Sequence, residues 1–170
     1  MSLHEQPGKT DEWYTPPYVF QALGAEFDLD VAHPGRHVVD WVPATRVLAS
    51  GSLSFPWYGF VWMNPPFGGR NGLIPWLEKF FRHGNGIALT PDRTSCPWWQ
   101  EAVQRADATL FVSGKIKFIG ADGVPGKSPA QGTTLLAAGS RGVAALENAQ
   151  RAGLGVLMSR TLDPFEALVA

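Results

Sequence analysis

Cysteine is nearly absent: Cys96 is the single thiol in 170 residues. One cysteine excludes an internal disulfide and leaves no cysteine pair for a zinc or redox motif. Long apolar runs are missing too, since no stretch of the chain approaches the ~18 to 20 residues that a membrane-spanning helix requires. The N-terminus lacks the basic, apolar and small-residue order of a secretory leader. These absences lead to the expectation of a soluble, cytoplasmic protein that has no membrane partner and is stabilised by packing. An excess of one charge is likewise missing: 14 Lys and Arg stand against 15 Asp and Glu, a net charge of −1. Any polyanionic partner would therefore have to meet a local basic patch. No repeat or low-complexity linker divides the chain. Its length suits one domain of the common ~100 to 200 residues. Residues 1–11 read as a loose polar arm and residues 12–170 as a single domain.

Aromatic residues are abundant by contrast. Seven tryptophans and 12% aromatic content can serve a core or a base-stacking surface. Trp57, Trp76, Trp98 and Trp99 adjoin proline and apolar residues, which favours packing. Thr15-Pro16-Pro17 offers a helix start, with Thr15 as cap and Pro16 as first helical residue. Val19, Phe20 and Leu23 give this helix one apolar face, and it ends near Gly24. Phe27 to Val31 alternates apolar and acidic residues as a strand does, which would put Asp28 and Asp30 on one face. Short strands are expected near residues 46–48 and over 60–63, the second ending at Asn64. Leu73, Ile74, Leu77, Phe80 and Phe81 carry a helical period. A strand over 86–89, a helix over 98–106 and a strand over 109–112 follow. Residues 115–119 and 133–138 are expected to pair as strands around a Gly, Pro and Ser loop. A helix over 143–152 and a final strand would complete the sheet. The alternation predicts an α/β sheet, partly parallel, with an antiparallel part toward the C-terminus. Ligands gather at the carboxyl ends of strands in such sheets, where Asp30 and Asn64 fall.

The segment Asn64-Pro65-Pro66-Phe67 ends a buried strand with a polar amide, two fixed backbone angles and a ring. The Asn64 side-chain oxygen and the Pro65 carbonyl can both accept hydrogen bonds from one amino group. Holding both hydrogens turns the nitrogen lone pair outward and favours the positive charge that builds as it attacks an electrophile. Phe67 can stack on the ring that bears the amine. His33, His37 and Asp40 are spaced like ligands, but Pro34-Gly35 prevents a helix from joining the histidines, so no metal site is expected. Lys115, Lys117, Lys127 and Arg141 form a modest basic cluster that could touch phosphate.

Asn64-Pro65-Pro66-Phe67 resembles the catalytic motif of amino-group methyltransferases that use S-adenosylmethionine. Asp11 to Pro16, then Phe27 to Asp30, then Asn64 to Phe67, in this order and at these spacings, resembles the small phage-type, Dam-like, adenine-specific DNA methyltransferases. The likeness continues through Leu89-Thr90-Pro91, Arg93-Thr94, Trp98-Trp99 and Gly114 to Phe118. It implies a Rossmann-like methyltransferase sheet and methyl transfer to the exocyclic amine of adenine in DNA, in a bacterial host cytoplasm. Asn64, Pro65, Pro66 and Phe67 would be catalytic. Trp13, Tyr14, Thr15, Pro16, Asp28, Asp30, Ala32 and Asn64 would hold S-adenosylmethionine, with Asp30 accepting from a ribose or from the ammonium group of the methionine moiety. Arg93, Lys115, Lys117 and Lys127 would meet DNA. The chain departs from this pattern in lacking a glycine-rich loop after Asp30, in Ser95 and in Lys115. It also lacks a separate target-recognition domain. Monomer and homo-oligomer both stay open. So do an amide methyltransferase acting on protein glutamine and an inactive nucleic-acid-binding module of the same fold.

Overall fold

A computed structural model describes residues 13–68 and 72–159. The expected N-terminal arm, Asp11, Glu12 and Gly69 lie outside the described residues. In chain order the elements are β1 (Trp13–Tyr14), α1 (Pro17–Leu23), β2 (Phe27–Asp30), β3 (Ala44–Val47), β4 (Val61–Met63), α2 (Ile74–His83), β5 (Gly86–Pro91), α3 (Pro97–Arg105), β6 (Ala108–Val112), β7 (Ile119–Gly120), β8 (Thr133–Ala138), α4 (Ser140–Arg151) and β9 (Gly155–Ser159). Among the described residues no helix is long and apolar enough to cross a membrane.

Seven strands form one sheet in the order β3-β2-β4-β5-β8-β6-β9. β3, β2, β4 and β5 run parallel; β8 lies antiparallel between β5 and β6, and β9 lies antiparallel beyond β6. The α/β class with an antiparallel C-terminal part is therefore the one the chain adopts. From β2 the chain moves outward to β3 and then returns across β2 to β4. That reversal opens a crevice between the carboxyl ends of β2 and β4, the usual ligand position in such sheets.

Two hydrophobic layers cover the sheet. Trp62, Ile87, Leu89, Leu135 and Ala137 face Phe20 and Leu23 of α1 and Leu146 of α4. Val61, Met63, Ala88, Leu136 and Ala138 face Leu77 and Phe80 of α2 and Ala102 of α3. Every residue of β5 and β8 is buried, as expected of strands covered on both faces. Trp57 and Trp62 belong to this packing, and Trp99, also buried, lies beside the Phe111 ring.

The α1 start differs from the sequence reading. Pro16 is the N-cap and Pro17 is the first helical residue, and no side-chain cap bond is made. The Thr15 hydroxyl is committed elsewhere, as described below. Val19, Phe20 and Leu23 are buried as expected, and Gly24 closes the helix at φ 57° with its N–H on the Phe20 carbonyl, a left-handed position that favours glycine.

Residues 115–119 do not pair with 133–138. β8 instead pairs with β5 and β6, while the short β7 pairs with β1, Tyr14 opposite Ile119. The N-terminal segment thus reaches across the chain and holds the loop that follows β6. Gly126 completes the contact: a Cβ there would collide with the Trp13 ring, and its N–H bonds the Phe118 carbonyl at 2.7 Å.

Strict alternation along β2 also fails. Phe27 packs in the layer of α1 and α4, but Leu29 packs in the layer of α2 and α3. The Phe60 carbonyl accepts from both Asp28 N–H, at 2.8 Å, and Leu29 N–H, at 3.4 Å, the mark of a bulge. Asp28 and Asp30 consequently do different things. Asp28 Oδ2 accepts from Phe60 N–H at 2.6 Å and pairs with Arg141 at 3.3 Å. Asp30 faces the crevice.

Candidate active site

A cavity of about 760 Å³ occupies the crevice, a size within the ~300 to 1,000 Å³ range of small-molecule sites. Asp30 reaches it from the end of β2, Trp62 and Asn64 to Phe67 from β4, and Pro91 from β5. β1, residues 50–54 and residues 129–133 supply further walls. Lys79 fixes residues 52–55: its Nζ donates to the carbonyls of Ser52 at 2.8 Å and Leu53 at 3.0 Å, and to that of Phe55. The ammonium also lies 4.9 Å from the centre of the Trp57 ring. Burial first, and then the nearby Arg82 charge, lower its pKa.

Asn64 is held from the opposite side of the crevice. Its Nδ2 donates to the Thr15 hydroxyl at 3.1 Å and, more weakly, to the Trp13 carbonyl at 3.4 Å. A carbonyl only accepts, so the amide must present its NH₂ end to β1. Thr15 is itself 3% exposed, and its carbonyl takes the Trp41 indole N–H at 2.9 Å. This arrangement leaves Asn64 Oδ1 without a hydrogen bond among the described residues, and the Pro65 carbonyl shares that condition. Pro65 is buried, Pro66 is exposed, and Phe67 is half-buried between the two layers. All four residues of the motif line the cavity.

Asp30 is 3% exposed. Burial raises its pKa to about 7, against the opposing effects of the Ala32 N–H and the Arg36 charge. The Ala32 N–H reaches Asp30 Oδ1 at 3.0 Å. A carboxyl held this far above its ordinary range gains from a cationic or donor group placed against it. His33, in the turn after β2, is also 3% exposed. Its pKa is lowered by burial and secondarily by Arg36.

Of the residues expected to hold a cofactor, Trp13, Tyr14, Thr15, Asp30, Ala32 and Asn64 line the cavity. Pro16 and Asp28 do not: Pro16 caps α1, and the Asp28 carboxylate is occupied by Phe60 and Arg141. Of the expected DNA contacts, Arg93 and Lys127 line the cavity, and Arg93 Nε donates to Gln131 at 3.2 Å. Lys115 and Lys117 are exposed and lie outside it, although Lys115 Nζ braces the wall through the Ala130 carbonyl at 2.9 Å. Arg141 is not part of that basic cluster. It lies over the Phe60 ring, 4.5 Å from its centre, and pairs with Asp28.

Sequence reasoning missed His33 as a cavity residue, together with Ser50 to Ser54, Trp76 and Gln131. A signal existed for the serine segment, because residues just past the carboxyl end of a parallel strand border the crevice. Gln131 gave none, since its position depends on pairing between distant segments.

A family model described as DNA N-6-adenine-methyltransferase (Dam) matches residues 4–136. The chain matches no curated protein and no solved structure.

Proposed function

The chain belongs to the DNA N-6-adenine-methyltransferase (Dam) family, and from that premise we propose that it moves a methyl group from S-adenosylmethionine to the exocyclic amine of adenine in DNA. The observation that carries this reading is the fixed Asn64 amide. With its NH₂ end tied to Thr15 and Trp13, the amide has no partner for its oxygen among the described residues, and that oxygen can accept from a substrate amine. The Pro65 carbonyl supplies a second acceptor, and the proline rings keep the corner rigid. Together they would hold both amine hydrogens and stabilise the cationic character of the attacking nitrogen. Phe67 would stack on the purine.

The residues present fit the cofactor. A cavity of about 760 Å³ with aromatic walls at Trp13, Trp62 and Phe118 suits a nucleoside, and the buried Asp30 carboxyl, with its pKa near 7, suits an ammonium or a ribose hydroxyl. Trp13, Tyr14, Thr15, Asp30 and Ala32 would hold S-adenosylmethionine, which when bound supplies an electrophilic methyl on a sulfonium. A base inside the duplex cannot reach such a pocket, so adenine would be extruded into it. Arg93 and Lys127 at the cavity, with exposed Lys115 and Lys117 beyond it, would contact the backbone phosphates. The described elements would act as one methyltransferase unit with a Rossmann-like sheet, with loop 115–131 near the DNA.

Asn64→Ala tests the reading. The variant should bind S-adenosylmethionine within a few-fold of the parent and lose at least ~10²-fold in transfer; normal turnover would remove the mechanism. Incubation with methyl-labelled cofactor and mixed DNA, RNA and protein should label adenine in DNA alone. Label in a peptide amide would point to the protein-glutamine reaction, and failure to bind cofactor at all would point to an inactive nucleic-acid-binding module.

A further inference from the structure

Gln131 borders the cavity on the side of Asn64 that lies away from Asp30. The strand order β2-β4-β5-β8 sets four residues along one edge of the sheet: Asp30 at the end of β2, Asn64 just after β4, Arg93 two residues past β5 and Gln131 two residues before β8, where Thr133 pairs with Pro91. All four line the cavity. The backbone around Gln131 is pinned on both sides. Lys115 Nζ donates to the Ala130 carbonyl at 2.9 Å, and the Gly132 carbonyl accepts the Asp92 N–H at 3.0 Å.

The side chain is held as well. Arg93 Nε donates to Gln131 Oε1 at 3.2 Å. A guanidinium only donates, so the amide gives its oxygen to Arg93 and is left with its NH₂ end to offer. That NH₂ has no hydrogen bond among the described residues and is not one of their buried, unpartnered nitrogens, so it is open to a ligand.

We infer that Gln131 reads the extruded adenine, its Nε2–H donating to a ring nitrogen beside the amine that Asn64 and Pro65 hold. The inference rests on the proposed transfer to adenine. With the cofactor on the Asp30 side, the base occupies the side of β5 and β8. N1 and N7 flank the adenine amine and both are bare acceptors, so an amide locked with its donor outward matches either. An amide free to turn would suit a ring N–H equally well. Gln131 is thus a specificity residue, and Arg93 is the positioning residue that fixes its polarity.

The test uses a DNA that the parent enzyme methylates, remade with 1-deazaadenine or 7-deazaadenine at the methylated position. Each analogue also alters its own amine, so the quantity read is the ratio of kcat/KM on adenine to that on the analogue, compared between enzymes so that the intrinsic difference cancels. For one of the two analogues this ratio should be roughly 5- to 100-fold larger in the parent than in Gln131→Ala, the range for a donor left unmet; the analogue affected identifies the nitrogen. Gln131→Glu keeps an acceptor for Arg93 and loses the donor, and its ratio should match that of Gln131→Ala. Arg93→Ala, which lets the amide turn, should shrink the ratio by a smaller factor. Ratios that are the same in the parent and Gln131→Ala for both analogues would overturn the proposal. So would a parent-like ratio in Gln131→Glu, by assigning Gln131 only the role of bracing Arg93. If the parent methylates no adenine, the reading of the reaction fails first and takes this inference with it.

Discussion

Asn64 Nδ2 stands 3.1 Å from the Thr15 hydroxyl although 49 residues separate the two in the chain. The contact ties the strand-end amide to the segment that precedes α1, so the orientation of one depends on the placement of the other. Trp41 holds Thr15 in turn through its carbonyl.

Thr15→Val preserves shape and removes the hydroxyl that fixes the amide. Methyl transfer should fall by roughly 10- to 100-fold, because small losses of orientation at a reacting centre are amplified in rate. Affinity for S-adenosylhomocysteine should fall by less than the rate does, because Trp13, Tyr14, Asp30 and Ala32 still line the cavity. Rate measurements with labelled cofactor, paired with calorimetry, separate the two effects, and an unchanged kcat would deny Thr15 its orienting role.

Asp30 gives a pH dependence with a defined sign. Its folded-state pKa is about 7 against an ordinary 3.8, so the ligand-free fold holds this proton more tightly than the unfolded chain does. The stabilisation is present in full below the ordinary value and is lost as pH rises toward and through 7. Asp30→Asn removes that loss. Its Tm relative to the parent should therefore climb between pH 5 and pH 8, while cofactor affinity drops. A Tm difference that stays flat across this window would show that the carboxyl is not burdened by burial. In the parent protein, affinity for a cationic cofactor should tighten with pH up to about 7 and then level off.

Asp28 provides a contrast on the same strand. Asp28→Ala removes the acceptor for the Phe60 N–H, at a cost of about 1 to 2 kcal/mol, and each kcal/mol should lower Tm by roughly 2 to 4 °C. The exposed pairing with Arg141 adds little. Cofactor affinity should not change, because this carboxylate lies outside the cavity. A selective loss of affinity in a variant of normal stability would return Asp28 to the ligand site.

The local parts of the fold were legible in the sequence, and so was the carboxyl-end position of Asp30 and Asn64. α1 announces its buried face through Val19, Phe20 and Leu23 and its end through Gly24, because helical period and left-handed closure are properties of neighbouring residues. The place of Asn64 to Phe67 at a strand end beside the cavity could be read because the corner is made by four consecutive residues. What escaped depends on distant pairing. Thr15 looks like a cap until Asn64 arrives to bind its hydroxyl. Residues 115–119 look like a partner for 133–138 until β8 is seen between β5 and β6. Asp28 and Asp30 look alike until a bulge separates their surroundings. Arg141 joins a basic cluster in composition only, since α4 carries it to Asp28.

β8 sits between two strands that both precede it in the chain, and it meets β5 over six residue pairs and β6 over four. A nascent chain that has left the ribosome only as far as Val112 therefore holds two strands with no shared neighbour, each offering an unsatisfied edge. Joining them waits for residue 138, and the crevice wall at 129–133 arrives in the same stretch of synthesis. Release of a shortened product ending before that point should yield an aggregating species, whereas the finished chain gains its central sheet and its ligand cavity in a single late closure.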